Sequence, residues 1–162
     1  MAADNNCSCP EVEVKEIEWH NKDMDWSGKF FYFEDVRHAF NVPLGLEAKR
    51  TEMKQDIERK GYTMINPDLT LHESGMFTGR IFVEIENPEQ LDANVIQFGD
   101  ARILTRYYKG SAAGMKRALE ELKTFTLDKT HILPRSIYIW HLTCPKCAGK
   151  RGGDKSILFA KV

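Results

Sequence analysis

The chain has no hydrophobic run near the roughly 20 residues that cross a bilayer, so a helical membrane span is not expected. It also has almost no net charge. The 23 basic and 24 acidic side chains leave −1, which provides neither the basic footprint of a nucleic-acid binder nor a handle for an anionic membrane. No Walker loop, dinucleotide fingerprint or serine-nucleophile elbow occurs, which excludes the common phosphate-cradling and serine-hydrolase signatures. Cysteine is scarce, with four in 162 residues. The first ten residues are polar and do not resemble a signal peptide, so a cytoplasmic protein is expected. In that reducing compartment the cysteines point to metal or thiol chemistry, or to none, before structural disulfides.

What is present is organised around Pro134 to Cys147. Its first half, Ser-Ile-Tyr-Ile-Trp-His, is β-branched and aromatic and reads as a central strand. Its second half, Cys144-Pro145-Lys146-Cys147, ends that strand with a proline and places two thiols at the spacing of a metal knuckle or a redox pair.

In chain order, residues 1–10 form a polar tail with Cys7 and Cys9. Val12 and Val14 alternate and then change phase to Ile17 and Trp19, which predicts a strand with a bulge or bend. A polar loop follows to Lys29. Next comes a repeat: Phe33-Glu34-Asp35-Val36-Arg37 matches Phe98-Gly99-Asp100-Ala101-Arg102, and the same offset places Gly45 on Gly110. Each copy runs into a helix. Leu46, Met53 and Ile57 share a face between Gly45 and Gly61, which is the expected C-terminal cap. Met115, Ala118, Leu119, Leu122 and Phe125 make an i, i+3, i+4, i+7 stripe. Two strand-like runs follow each helix, Leu69 to Glu73 and Arg80 to Ile85, then Ser136 to Thr143 and Ser156 to Lys161. The unit is β-α-β-β, twice. This predicts an α+β fold with one curved antiparallel sheet and two helices on one face. Residues 1–29 are read as a tail with an extra strand, and 30–162 as one domain with copies at about 30–86 and 94–162.

This duplicated order, Tyr107-Tyr108-Lys109-Gly110-Ser111 at the start of the second helix, and the aromatic strand ending at Pro145 together resemble the GyrI-like (DNA-gyrase-inhibitor-like) small-molecule-binding domains. The resemblance covers roughly Phe30 to Val162 and implies a concave sheet face and a groove between copies for flat, apolar, often cationic ligands. Some stand-alone members hydrolyse strained cyclopropane-bearing compounds through a carboxylate and aromatic residues. The family's strand glutamate and the tyrosine two residues after it correspond here to Ile139 and His141. The expected carboxylate is therefore missing, with Glu73 and Glu84 as its nearest substitutes. Residues 1–29 read as too short and strand-like for a helix-turn-helix, so none is expected there.

Several residues are candidates for chemistry. Tyr138 and Trp140 could stack a flat ligand or could be core facing the helices. Pairing the copies puts Leu69 and Leu71 with Tyr138 and Trp140 as core, which leaves His72 and His141 on the ligand-facing side or as ordinary bonded histidines. In Phe82-Val83-Glu84-Ile85 the alternation turns Val83 and Ile85 to the helices and Glu84 to the open face. There Glu84 could bind a cation, act as general acid or base, or be a solvated strand residue. Tyr108 could donate to a developing negative charge or pack at the helix entry. Cys7, Cys9, Cys144 and Cys147 could close a structural zinc site, the last two could be a redox pair, or all four could be idle. Lys146, Lys150, Arg151 and Lys155 form a basic loop, read first as solvated. The expected function is a stand-alone binder of a hydrophobic or aromatic small molecule between the copies, with His72, Glu84, Tyr108 and His141 fixing its orientation. The alternatives are a hydrolase using Glu84 and Tyr108, or a protein-interaction module acting on gyrase or another enzyme and marked by an exposed apolar patch.

Overall fold

The computed structural model describes residues 16–40, 42–143 and 153–162; the four cysteines and Lys146, Lys150 and Arg151 lie outside this set. Its elements are α1 (Glu16–Trp19), β1 (Asp23–Asp25), β2 (Phe30–Ala39), β3 (Val42–Pro43), α2 (Leu46–Arg59), β4 (Thr70–Glu73), β5 (Thr78–Ile85), β6 (Val95–Gln97), β7 (Arg102–Gly110), α3 (Ala112–Thr130), β8 (Ser136–His141) and β9 (Asp154–Lys161). The fold is α+β with antiparallel strand pairing. The described residues form two compact units, one from Met24 to Arg102 and one from Ile103 onward together with those up to Asp23. No helix among them is long and apolar enough to cross a membrane.

In the Met24–Arg102 unit, β2 pairs with β5 from Phe30↔Ile85 to Arg37↔Thr78, and β5 pairs with β4. Alternation sends Tyr32 and Val36 of β2, and Ile81, Val83 and Ile85 of β5, to the same side, where Met53 and Ile57 of α2 meet them. Met53 and Ile57 are fully buried, and each such burial is worth about 1.5–3 kcal/mol. The helix stops where the sequence signals. Gly61 takes φ 80°, its N–H donates to Glu58 O, and the Tyr62 N–H donates to Ile57 O, the paired bonds of a Schellman cap.

In the other unit β7, β9 and β8 pair in that order, with Arg106↔Leu158 and Ile139↔Leu158 in register. Ala118 and Leu122 of α3 pack on Leu158 and Ala160, with Met115, Leu119, Phe125, Tyr108 and Ile139 around them. The stripe read from the sequence is the buried face of this helix.

Three expectations are corrected. The strand expected through Ile17 and Trp19 is instead the helical turn α1: His20 N–H donates to Glu16 O, Ile17 is exposed, and Trp19 packs edge-on against Trp140 and Phe159. One tryptophan held by two rings sets the local geometry, whereas alternation assumes a buried residue at every second position. Second, Phe33 to Arg37 lies in β2, but Phe98 to Ala101 lies between β6 and β7, so the matched pentapeptides occupy different structures. Third, the faces of β4 and β8 are reversed, whereas β5 turns Val83 and Ile85 to α2 and Glu84 away from it as expected. His72 is beside Ile81 and His141 beside Ser156, on the sides that carry α2 and α3, while Leu71, Tyr138 and Trp140 point the other way. A helix settles on a surface of moderate side chains such as Ile139, Leu158 and Ala160. In this unit Tyr138, Trp140 and Phe159 take the opposite face, where Trp19 meets Trp140 and Phe159.

Candidate functional site

A groove of about 490 Å³ runs beside β7 and α3, lined among others by Glu16, Arg106, Tyr107, Tyr108, Arg117 and Glu121. That volume lies in the range of small-molecule sites. Strand alternation builds one wall: Arg106 and Tyr108 turn toward α3 and Tyr107 turns the other way, within the electrostatic reach of Glu16. Helix periodicity builds the other, because Gly114, Arg117, Ala118 and Glu121 follow at spacings of three, one and three and share a strip of α3.

Glu121 is the fixed carboxylate of the groove. Arg106 Nη2 donates to its Oε2 at 2.6 Å, and Arg117 Nε donates to its Oε1 at 3.1 Å. The Tyr108 hydroxyl donates to the Ser111 carbonyl at the start of α3. Two glycines make room for it: a Cβ on Gly110 would stand 2.8 Å from that hydroxyl, and one on Gly114 would overlap it. Burial pushes the Tyr107 phenol up, and Glu16 pushes it further, so it remains a hydrogen-bond donor at neutral pH.

Among the described residues named as site candidates from the sequence, only Tyr108 lines this groove. Glu84 lies in the other unit, across from Phe31 on the strand face away from α2, and pairs with Lys29 at 2.7 Å. His72 is 3% exposed, and its Nε2 meets His38 Nε2 at 2.7 Å. His38 Nδ1 lies 2.8 Å from the Val36 carbonyl, so it carries a hydrogen and donates there. The two Nε2 atoms share the hydrogen bond between the rings. Trp140 and Tyr138 are each 3% exposed, which makes them core of their unit, and His141 is half-buried. Arg106, Arg117 and Glu121 were not read from the sequence. The signals were there: Arg106 shares the phase of Tyr108, and Arg117 stands four residues before Glu121.

A family model described as bacterial hydrolase matches residues 1–162. The chain belongs to the bacterial hydrolase family. No curated protein matches this hydrolase-family chain. Among solved structures, the C-terminal domain of EcmrR superimposes with a TM-score of 0.61 at 8% identity, covering 88% of this chain and 96% of that one. At that identity the likeness concerns the fold alone.

This bacterial hydrolase family member has a second charged cluster, under α2. Carboxylate oxygens of Glu34, Glu52 and Asp56 lie within 4.8 Å of one another and could hold a metal ion, one suited to hard oxygen ligands rather than to thiolates. Lys49 Nζ already stands 3.1 Å from Glu34 and 3.3 Å from Glu52, so a cation would compete with an ammonium. Burial pushes the Glu34 carboxyl up, a hydrogen bond with Asp56 adds to this, and Lys49 opposes both. A raised carboxyl means that the folded state keeps a proton that the unfolded chain has released, so Glu34 favours folding on the acid side and less as pH rises through its raised value. Melts of wild type and Glu34→Gln should therefore show wild type losing stability relative to the variant from pH 5 toward pH 8. A pH-independent gap would contradict the assignment.

Proposed function

We propose that this chain hydrolyses a small organic molecule held in the groove beside β7 and α3. The supporting observation is a carboxylate, Glu121, fixed between two guanidiniums and sharing a groove of ligand-sized volume with two tyrosines, in a chain matched throughout by a hydrolase family. Glu121 takes a proton from the attacking water, and oxygen from that water bonds to the electrophilic carbon as the leaving group departs. The Tyr108 hydroxyl turns from the Ser111 carbonyl toward the oxygen that gains charge, and Arg106 holds Glu121 in line. Tyr107 offers its ring to a flat substrate. General-base assistance contributes about 10²–10⁴ in rate, and one donor to a developing oxyanion about 10²–10³.

Glu121→Gln should therefore lower turnover by about 10²–10⁴-fold and Tyr108→Phe by about 10²-fold, with substrate affinity little changed. The assay follows product by mass spectrometry over activated esters and cyclopropane-bearing compounds. Full turnover in Glu121→Gln would remove the groove from the chemistry. Glu84 supports a second reading, because it is a partly exposed carboxylate paired with a single lysine on the aromatic-rich face of its sheet. Loss of turnover in Glu84→Gln with Glu121→Gln unaffected would move the reaction there. Stoichiometric retention of the compound without product would favour a binder of hydrophobic or aromatic molecules over an enzyme.

A further inference from the structure

Of the eleven large apolar side chains that stand exposed among the described residues, five belong to two neighbouring hairpins of the Met24–Arg102 unit: Phe40 (79% exposed), Val42, Leu44, Met76 and Phe77 (68%). The backbone ties these segments together. Ala39 is in register with Val42, Leu44 N–H donates to Arg37 O at 2.8 Å, and His38 N–H donates to Phe77 O at 2.7 Å. The sequence carries the same signal. No Asp, Glu, Lys or Arg occurs from His38 to Gly45 or from Ser74 to Gly79, in a chain that is 29% charged. Phe40 also has φ 50°, a left-handed conformation that a bulky side chain adopts at a cost, and here it leaves the ring in water. Neither core packing nor the groove of the other unit accounts for this arrangement.

We propose that this uncharged end of the unit is the contact between two copies of the chain. Five such side chains present roughly 500 Å² per copy, so a twofold contact would bury about 1,000 Å², near the lower bound for a specific interface. Charge favours a second copy over other occupants. Identical faces without charge from His38 to Gly45 and from Ser74 to Gly79 meet without like-charge repulsion, whereas an anionic membrane selects a basic cluster, which the flanking Arg37 and the Glu73-paired Arg80 do not make. The contact is made by side chains and not by strand addition, because Pro43 removes a backbone donor from the short edge strand β3.

Sedimentation equilibrium of the full chain from low micromolar to submillimolar concentration tests this. The expected mass is twice that of the polypeptide at the upper end. Phe40→Glu and Phe77→Glu, each at an exposed position, should weaken the dimer at least about tenfold while leaving the melting temperature of the dilute, monomeric chain unchanged. Met76→Glu provides a third probe should either variant fold poorly. A single-chain mass across the range, a dimer that persists in all three variants, or a monomer that floats with lipid vesicles would overturn the proposal.

Discussion

Trp140→Ala should destabilise the protein by about 3–5 kcal/mol, the range for removing a large buried aromatic. The indole is 3% exposed and meets the Trp19 ring edge-on at 5.7 Å, and the same Trp19 ring meets Phe159 at 5.6 Å. Truncation removes the apolar burial and one edge-to-face pair, and it leaves Trp19 without one of its two supports. α1 is too short to hold itself, so its position rests on that ring contact and on the Thr105 hydroxyl, which donates to the Trp19 carbonyl. Trp19→Ala should therefore repeat part of the loss, and the double variant should cost less than the sum of the singles, because both remove the same contact. Urea denaturation checks this, with the midpoint falling and the slope unchanged. A loss below about 1 kcal/mol, together with weakened ligand binding, would instead make Trp140 a surface platform for a ligand.

Gly79→Ala is expected to be at least as damaging, by about 3 kcal/mol or more. Gly79 stands opposite Val36 in the β2–β5 register, on the side of the sheet that faces α2. A Cβ there would overlap both the Glu73 carbonyl oxygen and the His38 ring. The carbonyl belongs to the paired backbone of β4, so it cannot give way cheaply. The ring cannot give way either without breaking its bond to His72. The buried His38–His72 pair thus rests on the absence of one methyl group on the adjoining strand. Displacing it leaves two buried ring nitrogens short of partners, each costing about 1–3 kcal/mol. Chemical denaturation of Gly79→Ala beside His38→Ala separates the two contributions. If the alanine variant unfolds at the wild-type midpoint, the backbone has room that the packing denies.

Much of the fold was legible because local chemistry carried it. The α2 stripe between Gly45 and Gly61, the α3 stripe, and β5, β8 and β9 all lie where period and punctuation placed them. The failures have local causes. α1 was read as a strand because Val12, Val14, Ile17 and Trp19 alternate, although in the described part only Trp19 is pulled inward. The match of Phe98 to Phe33 is one of letters without a common structure. Of the candidate site, Tyr108 was visible from its place ahead of the helix, but its working neighbours were not. Arg106 and Glu121 are fifteen residues apart and meet only because α3 folds back along β7.

The sequence by itself determined where strands and helices lie and which side chains repeat on one face, because backbone sterics and hydrophobic period act over a few residues. Only the tertiary structure decided which face meets a helix, that His72 is bound to His38 and turned away from solvent, and that Glu121 is fixed between two arginines. Those outcomes depend on volumes and charges brought together from distant parts of the chain. Alternation gives the spacing of a strand's two sides, and packing decides which one is inside.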